Sequence, residues 1–390
     1  MWKEHYNKNT KTLIIPPEFN EELKEIPEGT EKILFFCNHI SGNFNDDIEK
    51  SVFNQSVDNL PLSLTHLTFG FNFNQPVDNL PENLRHLVFG YSFNQPVNKL
   101  PLSLTYLTFG SDFNQQVDNL PNTLTHLTFG SCFNQTVNNL PKSLTYLTFD
   151  IMFNEPVDNL PKKLTHLTFG FRFNQLVDNL PKNLTHLTFA SLFNQPVNNL
   201  PKKLTHLTFY KYSQFNQPVD NLPENLTHLT FGVSFNQLVE NLPKNLTHLT
   251  FGNCFNKKVD KLPKTLTHLT FGKYFNQPVD NLPKTLTHLT FGMLFNQKIN
   301  NLPKIYFLGL DFLSNFDIPL NVKELRTNFD NILLNNLPKH IEKLYIYFNT
   351  DITKNKIVGN LPLTLKEIVI HNEIYEKYVK IPFGSILTIE

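Results

Sequence analysis

Residues 275–294 read FNQPVDNLPKTLTHLTFGML, and this twenty-residue phrase decides the fold. Its opening pair returns at Phe53, Phe73, Phe93, Phe113, Phe133, Phe153, Phe173 and Phe193, then at Phe215, Phe235, Phe255, Phe275 and Phe295. The step is twenty residues throughout, except for one of twenty-two between Phe193 and Phe215. A fixed short period marks a solenoid, in which each coil stacks on its neighbours and the body lengthens without a growing core. Within the phrase, Thr287-His288-Leu289-Thr290-Phe291 alternates polar and apolar, the period of a half-buried strand. Leu289 and Phe291 are expected to point inward, His288 and Thr290 outward. Gly292 follows, where positive φ would turn the chain sharply out of the strand. Pro278 and Pro283 stand five residues apart and exclude a regular helix between them.

Stacking turns every position into a column. The apolar columns, represented by Phe275, Val279, Leu282, Leu286, Leu289 and Phe291, form the expected core. An asparagine follows the first phenylalanine at every repeat, from Asn54 to Asn296. A polar residue beside the core at each rung predicts a side-chain amide ladder that satisfies turn backbone.

The unit FNQPVDNLPxxLTHLTFG resembles the FNIP repeat, a leucine-rich-repeat-like family of social amoebae and giant viruses. Leu286-Thr-His-Leu289-Thr-Phe291 also resembles the LxxLxL strand core of leucine-rich repeats. The resemblance is close over 53–303, although family repeats are often about two residues longer than these coils. It implies a mainly β, leucine-rich-repeat-like right-handed solenoid. One parallel sheet with one short strand per coil is expected, and little or no helix.

Three stretches of one continuous solenoid are expected. Residues 1–52 form an N-terminal cap of degenerate coils with an irregular loop at 36–52. Regular coils occupy 53–303. Degenerate coils and a C-terminal cap follow at 304–390, where Leu308 and Leu310, Leu325 and Thr327, Leu344 and Ile346, Ile368 and Ile370, and Leu387 and Ile389 read as inward strand pairs. The loop carries Cys37, His39, Asp46, Asp47 and Glu49 without metal-ligand spacing, and reads as a solvated edge. Asp150, Ala190 and Tyr210 replace the turn glycine, so the turn differs there or positive φ is not required. Tyr210 also opens the two-residue insertion, a bulged loop at 210–214.

Composition excludes more than it assigns. Formal net charge is zero, which disfavours nucleic acid and acidic membrane surfaces as partners. A lysine column (Lys142, Lys162, Lys182, Lys202 and onward) runs beside an acidic one (Asp58, Asp78, Asp118, Asp158 and onward) that offsets its field. No secretion signal or membrane-spanning run is read, and Cys37, Cys132 and Cys254 fit a reducing compartment, so a cytoplasmic protein is expected.

The outward strand position gives a row: His66, His86, Tyr106, His126, Tyr146, His166, His186, His206, His228, His248, His268 and His288. Zinc needs three or four ligands converging on one point, and a straight row does not supply them. Stacked imidazoles would repel when protonated, and a metal- or pH-responsive histidine ladder is the chemically distinct alternative. Catalysis needs unlike groups converging, whereas a repeated surface presents like groups in lines. The expected function is thus a non-enzymatic scaffold with no cofactor, whose polar sheet binds an unidentified protein. Specificity is expected where coils differ: Phe71, Phe171, Arg172, Lys273 and Tyr274 after the turn, and Tyr210, Lys211 and Tyr212 in the insertion. Some relatives resemble ubiquitin-ligase substrate receptors with an F-box ahead of the repeats, which makes an adaptor or decoy the family-based alternative. About eleven residues precede the first coil, too few for that helical module.

Overall fold

The computed structural model describes residues 4–35, 50–299, 301–310, 318–328, 337–348, 358–359 and 361–390. The reactive side chains of the expected 36–52 loop, from Cys37 to Glu49, lie outside the described residues. Two compact units divide the chain: Met1–Gln195 with Asn199–Leu204, and Pro196–Asn198 with Thr205–Glu390.

The first unit holds β1 (Tyr6–Asn7), β2 (Thr12–Ile15), β3 (Lys32–Phe35), β4 (His66–Thr68), β5 (His86–Val88), β6 (Tyr106–Thr108), β7 (His126–Thr128), β8 (Tyr146–Thr148), β9 (His166–Thr168) and β10 (His186–Phe189). The second holds β11 (His206–Phe209), β12 (His228–Thr230), β13 (His248–Thr250), β14 (His268–Thr270), β15 (His288–Phe291), β16 (Phe307–Leu310), β17 (Glu324–Asn328), β18 (Lys343–Tyr347), β19 (Glu367–Ile370) and β20 (Ile386–Ile389). Helix among the described residues is confined to one 3-10 segment, Glu373–Tyr378. From β2 to β10, and again from β11 to β20, each strand pairs in parallel with the next. The fold is the leucine-rich-repeat-like parallel-sheet solenoid expected. One strand departs from that pattern. β1 pairs antiparallel with β2, Tyr6 opposite Leu13.

Register follows the repeat. His66 lies opposite His86 and His268 opposite His288, so like residues fall in columns. Leu67, Leu87 and Leu107 are at most 1% exposed, as the inward strand position demands. In each regular coil the strand phenylalanine lies flat against the one that opens the next phrase. Phe69 and Phe73, Phe109 and Phe113, and Phe251 and Phe255 have ring centroids 3.7 Å apart. The worn coils keep the same grammar: Leu308, Leu325, Leu344, Ile368 and Leu387 share one column.

The asparagine ladder is present. Asn114 Oδ1 accepts the Asn134 backbone N–H at 2.9 Å and Gln135 Nε2 at 3.1 Å, and the amide bond recurs from Asn54 to Asn194 and from Asn216 to Asn296. Each coil thereby satisfies the turn donor of the next coil at a site between exposed and half-buried.

The turn glycines need a correction. Positive φ occurs at Gly29 and Gly384 among the described glycines, not in the repeated turn. A Cβ on Gly110 would stand 1.7 Å from the Gly90 carbonyl oxygen, and one on Gly170 would stand 1.9 Å from that of Asp150. Glycine is selected by the approach of one coil's backbone to the next rather than by dihedral freedom. Positions 190 and 210 follow β10 and β11, which run on through the strand phenylalanine. The insertion is a turn tied by Ser213 N–H to the Tyr210 carbonyl at 2.8 Å, with Ser213 buried and Tyr210 and Tyr212 exposed.

Candidate functional site: an imidazole row and a variable edge

Two surfaces carry the side chains picked out from the sequence. The first is the outward strand column. In the first unit, His66 stacks on His86 at 4.3 Å and His166 on His186 at 4.2 Å. Between them Tyr106 and Tyr146 interrupt the imidazoles, with centroid separations from 4.2 to 5.9 Å. In the second unit five imidazoles run without interruption. His206, His228, His248, His268 and His288 are spaced 4.1–4.2 Å apart, with interplanar angles of 10–14°. The run ends against Phe307, 5.6 Å from His288.

In the second unit the preceding threonine fixes each ring. Thr247 Oγ1 lies 2.9 Å from His248 Nδ1 and also donates to the Thr227 carbonyl at 3.0 Å. Thr227, Thr267 and Thr287 repeat both contacts for their own histidines. A hydroxyl has one proton, and a carbonyl only accepts. Both contacts are satisfied only if Nδ1 carries hydrogen and donates to the threonine oxygen. Nε2, farther from the backbone on each ring, then holds a lone pair.

Burial lowers the pKa of His248 and His268, and the neighbouring histidines lower it further; His268 falls to about 4. His66 and His86 are lowered for the same leading reason, with Lys32 adding to the effect and Glu31 opposing it at His66. These four histidines are therefore neutral at pH 7. Near-parallel rings aim their lone pairs side by side rather than at one point, which is not the convergence a metal centre requires. Among the described residues, no three of His, Cys, Asp or Glu are grouped to hold a metal ion.

The second surface is the edge after the turn, where coils differ. Phe71 stacks on Tyr91 at 4.6 Å, and Lys50 Nζ sits 4.5 Å from the Phe71 ring centre. Farther along the first unit, Phe171 and Arg172 border an open hollow of about 520 Å³, with Met152, Leu192, Asn134, Asn154 and Asn174. Tyr91, Ile151 and Phe171 are 42–47% exposed, large for apolar side chains. In the second unit Lys211 lies over Tyr212 at 5.5 Å and Lys273 over Tyr274 at 5.4 Å, as two separate pairs.

Sequence reasoning missed Tyr91, which occupies the slot already flagged at Phe71 and Phe171, and Met152 and Leu192, which occupy the slot of Arg172. It also missed the outward face of β16–β19. There Lys343 pairs with Glu367 at 3.0 Å, the Tyr345 hydroxyl donates to Glu324 at 3.1 Å, and Tyr347 stacks near His371 at 5.7 Å. The signal was the replacement of the uniform His/Thr wording by charged and aromatic residues at the same strand positions.

The FNIP Repeat model matches residues 76–99, 96–132, 133–172, 173–212, 215–254 and 255–294. The chain belongs to the FNIP repeat family. CroV588, a giant-virus protein described as a novel circular LRR structure, is 38% identical to this FNIP repeat chain. That alignment covers 100% of this chain and 67% of CroV588, with a TM-score of 0.75. YopM from Yersinia enterocolitica WA-314 is 20% identical over 100% of this chain and 93% of its own, with a TM-score of 0.48. The functional domain of InlJ from Listeria monocytogenes is 15% identical over 79% of this chain and 70% of its own, also at 0.48. No curated protein sequence matches. The match to CroV588 shows that the FNIP repeat chain has a solenoid fold like that of leucine-rich-repeat proteins, which are generally scaffolds for protein interaction. Among the described residues, no helix is long and apolar enough to cross a membrane.

Proposed function

We propose that this chain is a non-enzymatic scaffold that binds another protein, with specificity carried by the edge after the turn. The observation that carries this reading is the contrast between the two surfaces. The strand face repeats one wording, whereas the edge exposes different large side chains at different coils: Tyr91, Ile151, Phe171, Tyr212 and Tyr274. Aromatic and arginine side chains dominate binding energy at protein interfaces, and varied ones can tell partners apart where a uniform row cannot. The hollow beside Phe171 and Arg172 offers the concavity that an anchor side chain fills. A ubiquitin-ligase adaptor role rests on family resemblance alone, and no feature of the geometry favours it.

The test is a comparison of edge with face. Phe71→Ser, Phe171→Ser, Tyr212→Ser and Tyr274→Ser are each compared with Thr108→Ser and Thr128→Ser for capture of a partner from the native cell. Loss confined to the edge variants is expected. Equal loss from both groups would overturn the assignment.

A further inference from the structure

Four imidazoles, His228, His248, His268 and His288, stand in a line on β12–β15, and the charges acting on the central two are imidazoles of the same row. The columns on either side are threonines, Thr227, Thr247, Thr267 and Thr287 before the rings and Thr230, Thr250, Thr270 and Thr290 after them. Past His288 the column continues as Phe307, and Glu324 follows only after that ring. The charges that act on His248 and His268 are those of other histidines in the row; no lysine or carboxylate contributes. This differs from the first unit, where Lys32 and Glu31 act on the row's end.

The threonine contacts decide where an added proton goes. Nδ1–H is already committed to the threonine oxygen, so protonation occurs at Nε2 and breaks no internal hydrogen bond. The new donor is on the part of the ring that a ligand would touch. Neighbouring rings 4.2 Å apart repel once both are charged, so the row resists charging unless an anion is laid on it. The two oxygens of a carboxylate can accept from two adjacent rings at once, as charge-assisted bonds.

We propose that the imidazole row of β12–β15, His228, His248, His268 and His288, is a proton-coupled docking face for an acidic, carboxylate-rich polypeptide segment. Binding supplies the negative charge that the row lacks, and the row takes up protons as the segment binds. A phosphodiester chain fits less well. A protein of zero net charge, with its lysine column running beside an acidic one, gives little of the long-range attraction on which backbone binding depends. This contact is additional to the edge of the preceding proposal and fails independently of it, because changing the histidines leaves the edge intact.

The experiment uses the full chain and a poly-glutamate peptide, titrated calorimetrically at about pH 5.5 and about pH 7.5, either side of an ordinary imidazole pKa. Each pH is run in two buffers of different ionisation enthalpy, which counts the protons taken up. Affinity should rise toward acid by about tenfold per pH unit for each proton bound. The combined His228→Gln, His248→Gln, His268→Gln, His288→Gln variant should lose that rise. If the variant does not fold, the wild-type histidine ring resonances report instead and should shift toward the protonated form on adding peptide at constant pH. Absence of binding, binding without proton uptake or without ring shifts, or unchanged binding by a folded variant would each overturn the proposal. So would equal affinity for a single-stranded oligonucleotide of matched charge.

Discussion

The regular coils of β4–β15 and the worn coils of β16–β20 use the same inward columns but hold their polar surfaces in different ways. In the regular coils the turn backbone is satisfied by asparagine amides, and stacked phenylalanine pairs fill the interior. In the worn coils Leu and Ile columns remain, while cross-strand ion pairs occupy the outer face: Lys343 with Glu367, Lys323 with Glu342, and Lys366 with Glu342. The lesson is that apolar columns and parallel pairing suffice for the architecture. The asparagine and phenylalanine ladders are one way of reinforcing it, and side-chain pairing across strands is another. Only the first way requires near-identical coils, because a ladder works when every rung offers the same group at the same height.

That contrast can be broken most severely in the interior. Phe133 is fully buried and lies 3.7 Å from Phe129. Phe133→Ala should cost about 3–5 kcal/mol in denaturant unfolding, from lost burial and the cavity left behind. Gly110→Ala probes the close approach of coils. The added methyl would meet the Gly90 carbonyl, and a cost of about 1–3 kcal/mol is expected from overpacking. A dihedral origin for that glycine would instead require positive φ, which the turn does not use. Next comes the ladder. Asn114→Ala removes the acceptor for the Asn134 N–H and should cost about 0.5–1.5 kcal/mol, with faster amide exchange at Asn134 as the local signature.

Smaller effects sharpen the comparison. The folded-state pKa of His268 is depressed to about 4, below the ordinary 6.5. The unfolded chain therefore binds protons that the folded chain refuses as pH falls from 6.5 toward 4, and stability must drop across that window. Thermal melts between pH 7 and 4 should show this loss, and His248→Gln with His268→Gln should make it shallower. The smallest effect belongs to the worn coils. Lys343→Met breaks the pair with Glu367 at a partly exposed site, and about 0–1 kcal/mol is expected, decreasing with salt. A larger cost there than at Asn114 would reverse the ranking of the two reinforcing devices.

Much of this molecule can be read from spacing. The strands at His66, His268 and their equivalents, the columns of Leu67 and Phe69, and the amide ladder from Asn54 all follow from a period that brings like residues together. The candidate site was legible in part. The histidine column was visible as a row, but its ring stacking and its Nδ1–H tautomer depend on how far apart successive coils sit. Tyr91 and Met152 were overlooked because the two slots after the turn carry no repeated wording, and only placement beside Phe71 and Phe171 gives them meaning.

Local chemistry thus established the repeat, the alternation of inward and outward side chains, the family and the core. Those features depend on neighbours in the chain or on exact repetition, both of which a linear string records. Folding in three dimensions settled why glycine ends the strand, which way each imidazole shares its proton, and which edge side chains meet. Each of these depends on a distance between coils, such as 1.7 Å to a carbonyl or 4.2 Å between rings. Backbone stacking sets such distances, and residue spacing along one chain does not contain them.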